Sequence, residues 1–138
     1  MKKIITIIFV LVAAIVVAQE KLTTIEVEIQ DIDNSNGQVL VGLYNSEELW
    51  LKKKYKGAVA KILEGKSIAT FIDIPEGIYA ISVFHDEDKD GKLKTNFLGI
   101  PSEDTGSSNN APAMFGPPKW EDAKFEVKEN TVKQIINL

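Results

Sequence analysis

Apolar residues recur at every second position through much of this chain, and that period narrows the possible architecture sharply. Ile25, Val27 and Ile29 alternate with Thr24, Glu26, Glu28 and Gln30. Val39, Val41 and Leu43 repeat the pattern within Gln38 to Tyr44, where Leu40 and Tyr44 make the opposite face apolar as well. A period of two belongs to strands, because successive side chains point to opposite faces of a sheet. The same reading predicts strands over Val59 to Leu63, Ile68 to Ile74, Ile78 to His85, Phe125 to Val127 and Val132 to Leu138. Turn formers separate them: Asn34-Ser35-Asn36-Gly37, Glu64-Gly65-Lys66, Pro75-Glu76-Gly77 and Glu129-Asn130. The Asn-Gly pair predicts that the first two strands form a hairpin, and the Glu129-Asn130 turn predicts a closing hairpin. One helix is expected over about residues 46 to 56. Ser46 would cap it, Glu47 and Glu48 would favour its start, Lys52, Lys53, Lys54 and Lys56 its end, and Gly57 would stop it. About seven short strands and one connecting helix describe an all-β, antiparallel, two-sheet sandwich.

The N-terminus predicts export. Lys2 and Lys3 precede an uncharged aliphatic run from Ile4 to Val17 that ends in Val16-Val17-Ala18. A spanning helix needs roughly 20 apolar residues, so the run fits a signal peptide better than an uncleaved anchor. Cleavage after Ala18 would leave residues 19–138 as a single domain with no transmembrane segment, in the periplasm or outside the cell. Acidic groups exceed basic ones for a formal charge of −4, and every basic residue is Lys. Arg dominates base-edge and phosphate recognition, so an acidic chain without it is a poor nucleic-acid binder. The chain has no Cys, so an exported domain of this kind must rely on packing or on a staple other than a disulfide.

Such a staple is written in Asp86-Glu87-Asp88-Lys89-Asp90-Gly91-Lys92-Leu93. Asp86, Asp88 and Asp90 provide oxygens at alternate positions, Gly91 permits a sharp turn, and the Lys92 carbonyl occupies the next ligand position of a Ca²⁺ loop. A polar hairpin tip would use the same residue types, but the strict spacing favours the metal. Lys94 and Phe97 stand where an EF-hand would place its later ligands, and a strand precedes the loop. The reading is therefore an acidic loop on a β scaffold, completed by Asn96, or by Glu103 or Asp104 returning from the long segment that follows. His85 is the sole histidine and ends the strongest strand. Alternation predicts that it is half-buried and bonded to a carbonyl or carboxylate. A small metal-dependent hydrolase using His85 beside the carboxylates is the alternative, although no second His, Cys or Arg accompanies it and Ser107 and Ser108 lie in no nucleophile motif. The segment Asn96 to Trp120 has no periodicity but contains Phe97, Met114, Phe115 and Trp120. It is expected to fold back over the sheets as an edge cover, or to build a ligand surface from Asn109, Asn110, Phe115 and Trp120 beside His85.

Several stretches are similar to one bacterial family: Ile74-Pro75-Glu76-Gly77-Ile78-Tyr79-Ala80, Phe84-His85-Asp86 through Leu93, Thr95-Asn96-Phe97-Leu98-Gly99-Ile100-Pro101, Ser108-Asn109-Asn110-Ala111 and Phe115-Gly116-Pro117-Pro118. They resemble the family known as domain of unknown function 2141 across essentially the whole mature chain. The resemblance implies an exported β-sandwich and transfers no activity. Family members often carry an acidic residue where this chain has Lys94. The Pro-x-Gly-x-Tyr turn also resembles transthyretin-like (prealbumin) and carboxypeptidase-regulatory-like sandwiches at the level of fold. The expectation is an exported binding or accessory module, not an enzyme, whose partner is an unspecified ligand or envelope protein.

Overall fold

The computed structural model describes residues 19–138, so the signal-peptide expectation for residues 1–18 lies outside the described residues. Among the described residues, eight strands form two facing sheets. They are β1 (Leu22–Gln30), β2 (Gln38–Tyr44), β3 (Lys56–Ala60), β4 (Ser67–Pro75), β5 (Gly77–Asp86), β6 (Thr105–Ser107), β7 (Phe125–Val127) and β8 (Val132–Asn137). The first sheet has the order β4-β1-β8; the second runs β3-β2-β5-β6, and β7 pairs with the start of β5.

Alternation places the inward residues where the period predicts. Ile25, Val27 and Ile29 of β1 are fully buried, as are Val39 and Leu43 of β2 and Ile81 of β5. Phe71, Ile74, Tyr79, Val83, Val127 and Ile136 complete the core between the sheets. Each such aliphatic side chain contributes about 1.5–3 kcal/mol by leaving water. A smaller cluster sits apart from this core, where Trp50, Trp120, Ala80 and Ala123 pack together with Tyr44 and Ala111. Its rings meet edge to face, with centroids 5.0 Å apart for Tyr44–Trp50 and 5.9 Å for Trp50–Trp120.

The connectivity corrects three expectations. β1 and β2 are not a hairpin: they belong to different sheets, and residues 31–37 carry the chain across. Gly37 does adopt positive φ (74°), but as a close approach rather than a hairpin tip. A Cβ there would stand 2.0 Å from the Asp86 carbonyl oxygen. β7 and β8 do not close a hairpin either, because β7 pairs with β5 while β8 runs parallel to β1, from Ile25↔Val132 to Gln30↔Asn137. The sheets are therefore not wholly antiparallel.

The helix expected over residues 46–56 is a series of turns. Leu51 has φ 57°, and Trp50 leaves helical register to bury its ring and donate Nε1–H to the Pro118 carbonyl at 2.7 Å. Three adjacent apolar residues, Leu49, Trp50 and Leu51, offer no helical stripe, so one tertiary anchor outweighs the favourable end charges. Gly57 lies inside β3, opposite Gly42. The α-helix among the described residues, α1 (Trp120–Ala123), closes the segment that showed no periodicity.

Candidate metal centre

The acidic loop leaves the end of β5, so its first ligand position is fixed by the sheet. Asp86 is fully buried. Its Oδ1 accepts the Asp90 N–H at 3.1 Å, and its Oδ2 accepts the Gly91 N–H at 3.0 Å and the Gln38 Nε2–H at 2.9 Å. Asp88 Oδ1 accepts the Asp90 N–H at 3.3 Å, and Asp90 Oδ1 accepts the Lys92 N–H at 2.8 Å. The alternate aspartates thus curl the loop by capping its own backbone.

Glu103 reaches this loop from the far side of the β5–β6 connection. Its Oε2 accepts the Lys94 N–H at 3.0 Å. Its Oε1 is buried and has no hydrogen-bond partner among the described residues, in a side chain left only 8% exposed. One carboxylate oxygen each from Asp86, Asp88 and Glu103 lie within 4.8 Å of one another. Two ligands of a single Ca²⁺, each at about 2.3–2.6 Å, stand at most roughly 5 Å apart, so one ion can touch all three. Lys94 meets the group from the solvent side, its Nζ 2.5 Å from Asp88 Oδ2. That hydrogen bond holds the Asp88 carboxyl below its ordinary range and pushes the Lys94 ammonium up.

Two other predicted side-chain ligands are placed differently, and so is the alternative Asp104. The Asp90 carboxylate accepts the Lys92 N–H and is not in the group. Asn96 Oδ1 accepts the N–H groups of Leu98 and Ile100 at 2.9 and 3.1 Å, which commits it to its own turn. Asp104 is exposed, and its carbonyl accepts the His85 backbone N–H.

Residues 27–135 match a bacterial family described as "Uncharacterized protein conserved in bacteria (DUF2141)". The chain belongs to that family. No curated protein matches this DUF2141 chain in sequence. Among solved structures it is similar to a pilus-presented adhesin, Cpa, at 11% identity and a TM-score of 0.30, covering 85% of this chain and 27% of that one. A cysteine-to-alanine mutant of the same adhesin gives 12% identity and a TM-score of 0.27, covering 88% and 28%. The DUF2141 chain thus spans about a quarter of the length of those adhesin chains.

The other candidates of the DUF2141 protein do not converge on one surface. His85 is fully buried, more deeply than expected, and stands 2.6 Å through Nε2 from the Asn36 carbonyl. A carbonyl can only accept, so Nε2 carries the proton, while Nδ1 is buried without a partner among the described residues. Trp120 is buried in the aromatic cluster, whereas Phe115 is wholly exposed. Asn109 and Asn110 guard the β8 edge. Asn110 Oδ1 accepts the Asn137 N–H at 2.9 Å, and Asn109 Nδ2 donates to the carbonyls of Asp122 and Lys124 at 3.1 and 2.8 Å. Both take left-handed φ angles, which Asn tolerates better than most residues.

Sequence reasoning passed over Ser108, which is fully buried. Its Oγ accepts the Ile81 N–H at 2.9 Å and donates to the Ala123 carbonyl at 2.5 Å, joining β5 to α1. Composition gave no signal for this role beyond the Ser-Ser-Asn-Asn run itself. A groove of about 420 Å³ lies on the outer face of the second sheet, lined in part by Leu40, Gly42, Tyr44, Lys54 and Phe84, and reaches Gly91 of the acidic loop.

Proposed function

We propose that this DUF2141 protein is an exported β-sandwich binding or accessory module in which Ca²⁺ closes the loop between β5 and β6. Two observations carry the cation: Glu103 Oε1 is a buried carboxylate oxygen with no donor among the described residues, and one oxygen of the same carboxylate gathers with oxygens of Asp86 and Asp88. An unsatisfied buried polar atom costs about 1–3 kcal/mol, and more when charged. A divalent ion removes that cost for Glu103 and relieves the repulsion among three neighbouring carboxylates. All the side-chain donors are hard oxygens on a loop, which suits Ca²⁺ better than Zn²⁺. Backbone carbonyls and water would complete the six to eight ligands that Ca²⁺ takes. With three protein carboxylates and a competing ammonium, the affinity belongs to the weak extracellular range, a Kd of about 10⁻⁴–10⁻³ M.

The role of the ion in this reading is mechanical. It ties the end of β5 to the residues leading into β6 in a domain that has no disulfide. The basic and aliphatic N-terminus supports export, where millimolar calcium is available. Catalysis has no part in the proposal, since the one histidine is enclosed. The test is the melting temperature of residues 19–138 in EDTA and across a millimolar calcium series, with Asp88→Asn alongside. Calcium should raise the melting temperature of the wild type and leave the variant nearly unmoved. A wild type indifferent to calcium would sink the cation reading.

A further inference from the structure

We propose that the outer face of the second sheet holds a small hydroxyaryl carboxylate, laid along a trench of small residues. Strand register builds the trench. Gly57 of β3 pairs with Gly42 of β2, Gly42 with Ser82 of β5, and Ser82 with Ser107 of β6. Directly paired residues share a face, so these four make one row across the sheet. Three strand spacings of about 4.8 Å give the row a length of roughly 14 Å. Leu40 and Phe84 wall it on one side and Tyr44 on the other, and the groove of about 420 Å³ lies over it. That volume is typical of a small-molecule site.

Folding gains little from such a row. Glycine weakens a strand, and inside one it marks the close approach of a ligand or of another backbone. The atoms nearest to where a Cβ would stand are the Tyr44 ring at Gly42, 3.0 Å away, and the Lys54 side chain at Gly57, 2.8 Å away. Neither is another strand's backbone, which leaves a ligand. An independent observation lies at the β6 end of the row. Ser107 is 2% exposed, and its hydroxyl, on the same face as that of Ser82, has no partner among the described residues. A ligand oxygen seated between the two hydroxyls gives Ser107 the bond that folding leaves unmade.

Charge fixes the other end. Among the described residues, Lys54 is the one charged side chain that lines the groove, and it enters no ion pair. Residues 46–57 around it carry four Lys against two Glu, although the whole chain is acidic at −4. The acidic loop reaches the groove at Gly91, which is bonded to Asp86, two rows of side chains beyond Gly42 on the same face. An anionic group therefore settles at Lys54, an aromatic body lies between Tyr44 and Phe84, and a hydroxyl reaches Ser82 and Ser107. A hydrogen bond of about 2.8 Å at each end leaves roughly 8–9 Å of the row for the ligand itself. The trench needs no metal to form, so this inference goes beyond the cation proposal and is tested without it.

The experiment follows ¹H–¹⁵N correlation spectra of residues 19–138 in EDTA during titration with 3-(4-hydroxyphenyl)propionate. EDTA keeps the carboxylate from meeting calcium at the acidic loop. The amides of Gly42, Gly57, Ser82 and Ser107 should shift together with a Kd of about 1 mM, as an open groove and a ligand of about twelve heavy atoms allow. The neutral alcohol 3-(4-hydroxyphenyl)propan-1-ol should bind about two- to fivefold more weakly, and Lys54→Gln should weaken the carboxylate by the same factor while leaving the alcohol unmoved. Ser107→Ala should weaken the hydroxylated probe by about fivefold and leave 3-phenylpropionate unchanged. Ser82→Val, which fills the floor of the trench, should weaken all three probes by about tenfold or more. The proposal is overturned if the four amides do not shift together, or if the alcohol binds the wild type as tightly as the carboxylate. Unchanged affinity of the carboxylate for Lys54→Gln or for Ser82→Val overturns it as well.

Discussion

Glu103→Gln should change sign between two buffers. In EDTA the wild type carries a buried Glu103 carboxylate oxygen without a donor among the described residues, in a carboxylate one oxygen of which lies within 4.8 Å of oxygens of Asp86 and Asp88. The amide removes the charge, and its NH₂ can donate toward Asp86 or Asp88, while the other end can still accept the Lys94 N–H that Oε2 holds at 3.0 Å. An unpaired buried group of this kind is worth about 1–3 kcal/mol, so the variant should equal or exceed the wild type by up to about 1 kcal/mol once imperfect amide geometry is allowed for. In calcium the order reverses. At 100 times its Kd the ion adds about 2.7 kcal/mol to the wild type. With a Kd raised about a hundredfold by loss of one charged ligand, the same concentration adds only about 0.4 kcal/mol to the variant. For a domain of this length 1 kcal/mol moves the melting temperature by about 4 °C. The wild type should therefore rise by roughly 10 °C and the variant by less than about 2 °C. Paired thermal melts with urea titrations measure both arms. The reasoning is refuted if Glu103→Gln loses more than about 1 kcal/mol in EDTA and calcium then raises both proteins equally.

Four further outcomes follow from the same contacts. Lys94→Gln should bind calcium severalfold more tightly by isothermal titration, because it withdraws the ammonium that pairs with Asp88; unchanged affinity would mean that Lys94 does not compete. Gly37→Ala should cost more than about 2 kcal/mol in urea unfolding, since it combines a left-handed φ with a Cβ driven into the Asp86 carbonyl; a cost under about 0.5 kcal/mol would disprove the close approach. Ser108→Ala should cost about 1–3 kcal/mol by stranding the buried Ile81 N–H, whereas Ser107→Ala, at a hydroxyl with no partner among the described residues, should cost less. Lys133, then Gln30, lowers the Glu28 carboxyl, so its contribution is complete above about pH 4.3 and is lost as pH falls through the lower folded value. Glu28→Gln should accordingly flatten the decline of melting temperature below about pH 4; an unchanged acid limb would remove Glu28 from the account.

The acidic loop shows how far local spacing reaches. Asp86 and Asp88 were legible because a strand that ends in alternate carboxylates can curl only a few ways, and the local chain sets those ways. Glu103 was no more than one of two carboxylates, with Asp104, on a long return segment. Its selection depends on β6 pairing with Ser82 to Phe84, which fixes where the chain re-enters the sheet. Asn96 was lost to the site for the opposite reason, a purely local one: its side chain serves the tip two and four residues ahead. Phe97 and Phe115 read as anchors because large apolar residues are usually buried, yet both are almost wholly exposed.

By itself the sequence determined most of the strands and their inward faces, since the period of two follows from backbone geometry within each segment, but it set the third strand at Val59 to Leu63 where β3 is Lys56–Ala60, and it did not show β6. It could not determine partners. Ile25-x-Val27-x-Ile29 and Val39-x-Val41-x-Leu43 carry the same pattern, and either would pair acceptably with the other across a turn. Tertiary structure sent β1 to β4 and β8, and β2 to β3 and β5, because both inward faces can then be buried against each other across one core. It also drew Trp50 out of a helix and onto Trp120, and brought Glu103 to Asp86. Those choices are made by burial and hydrogen bonding between segments far apart in the chain, where no local periodicity acts.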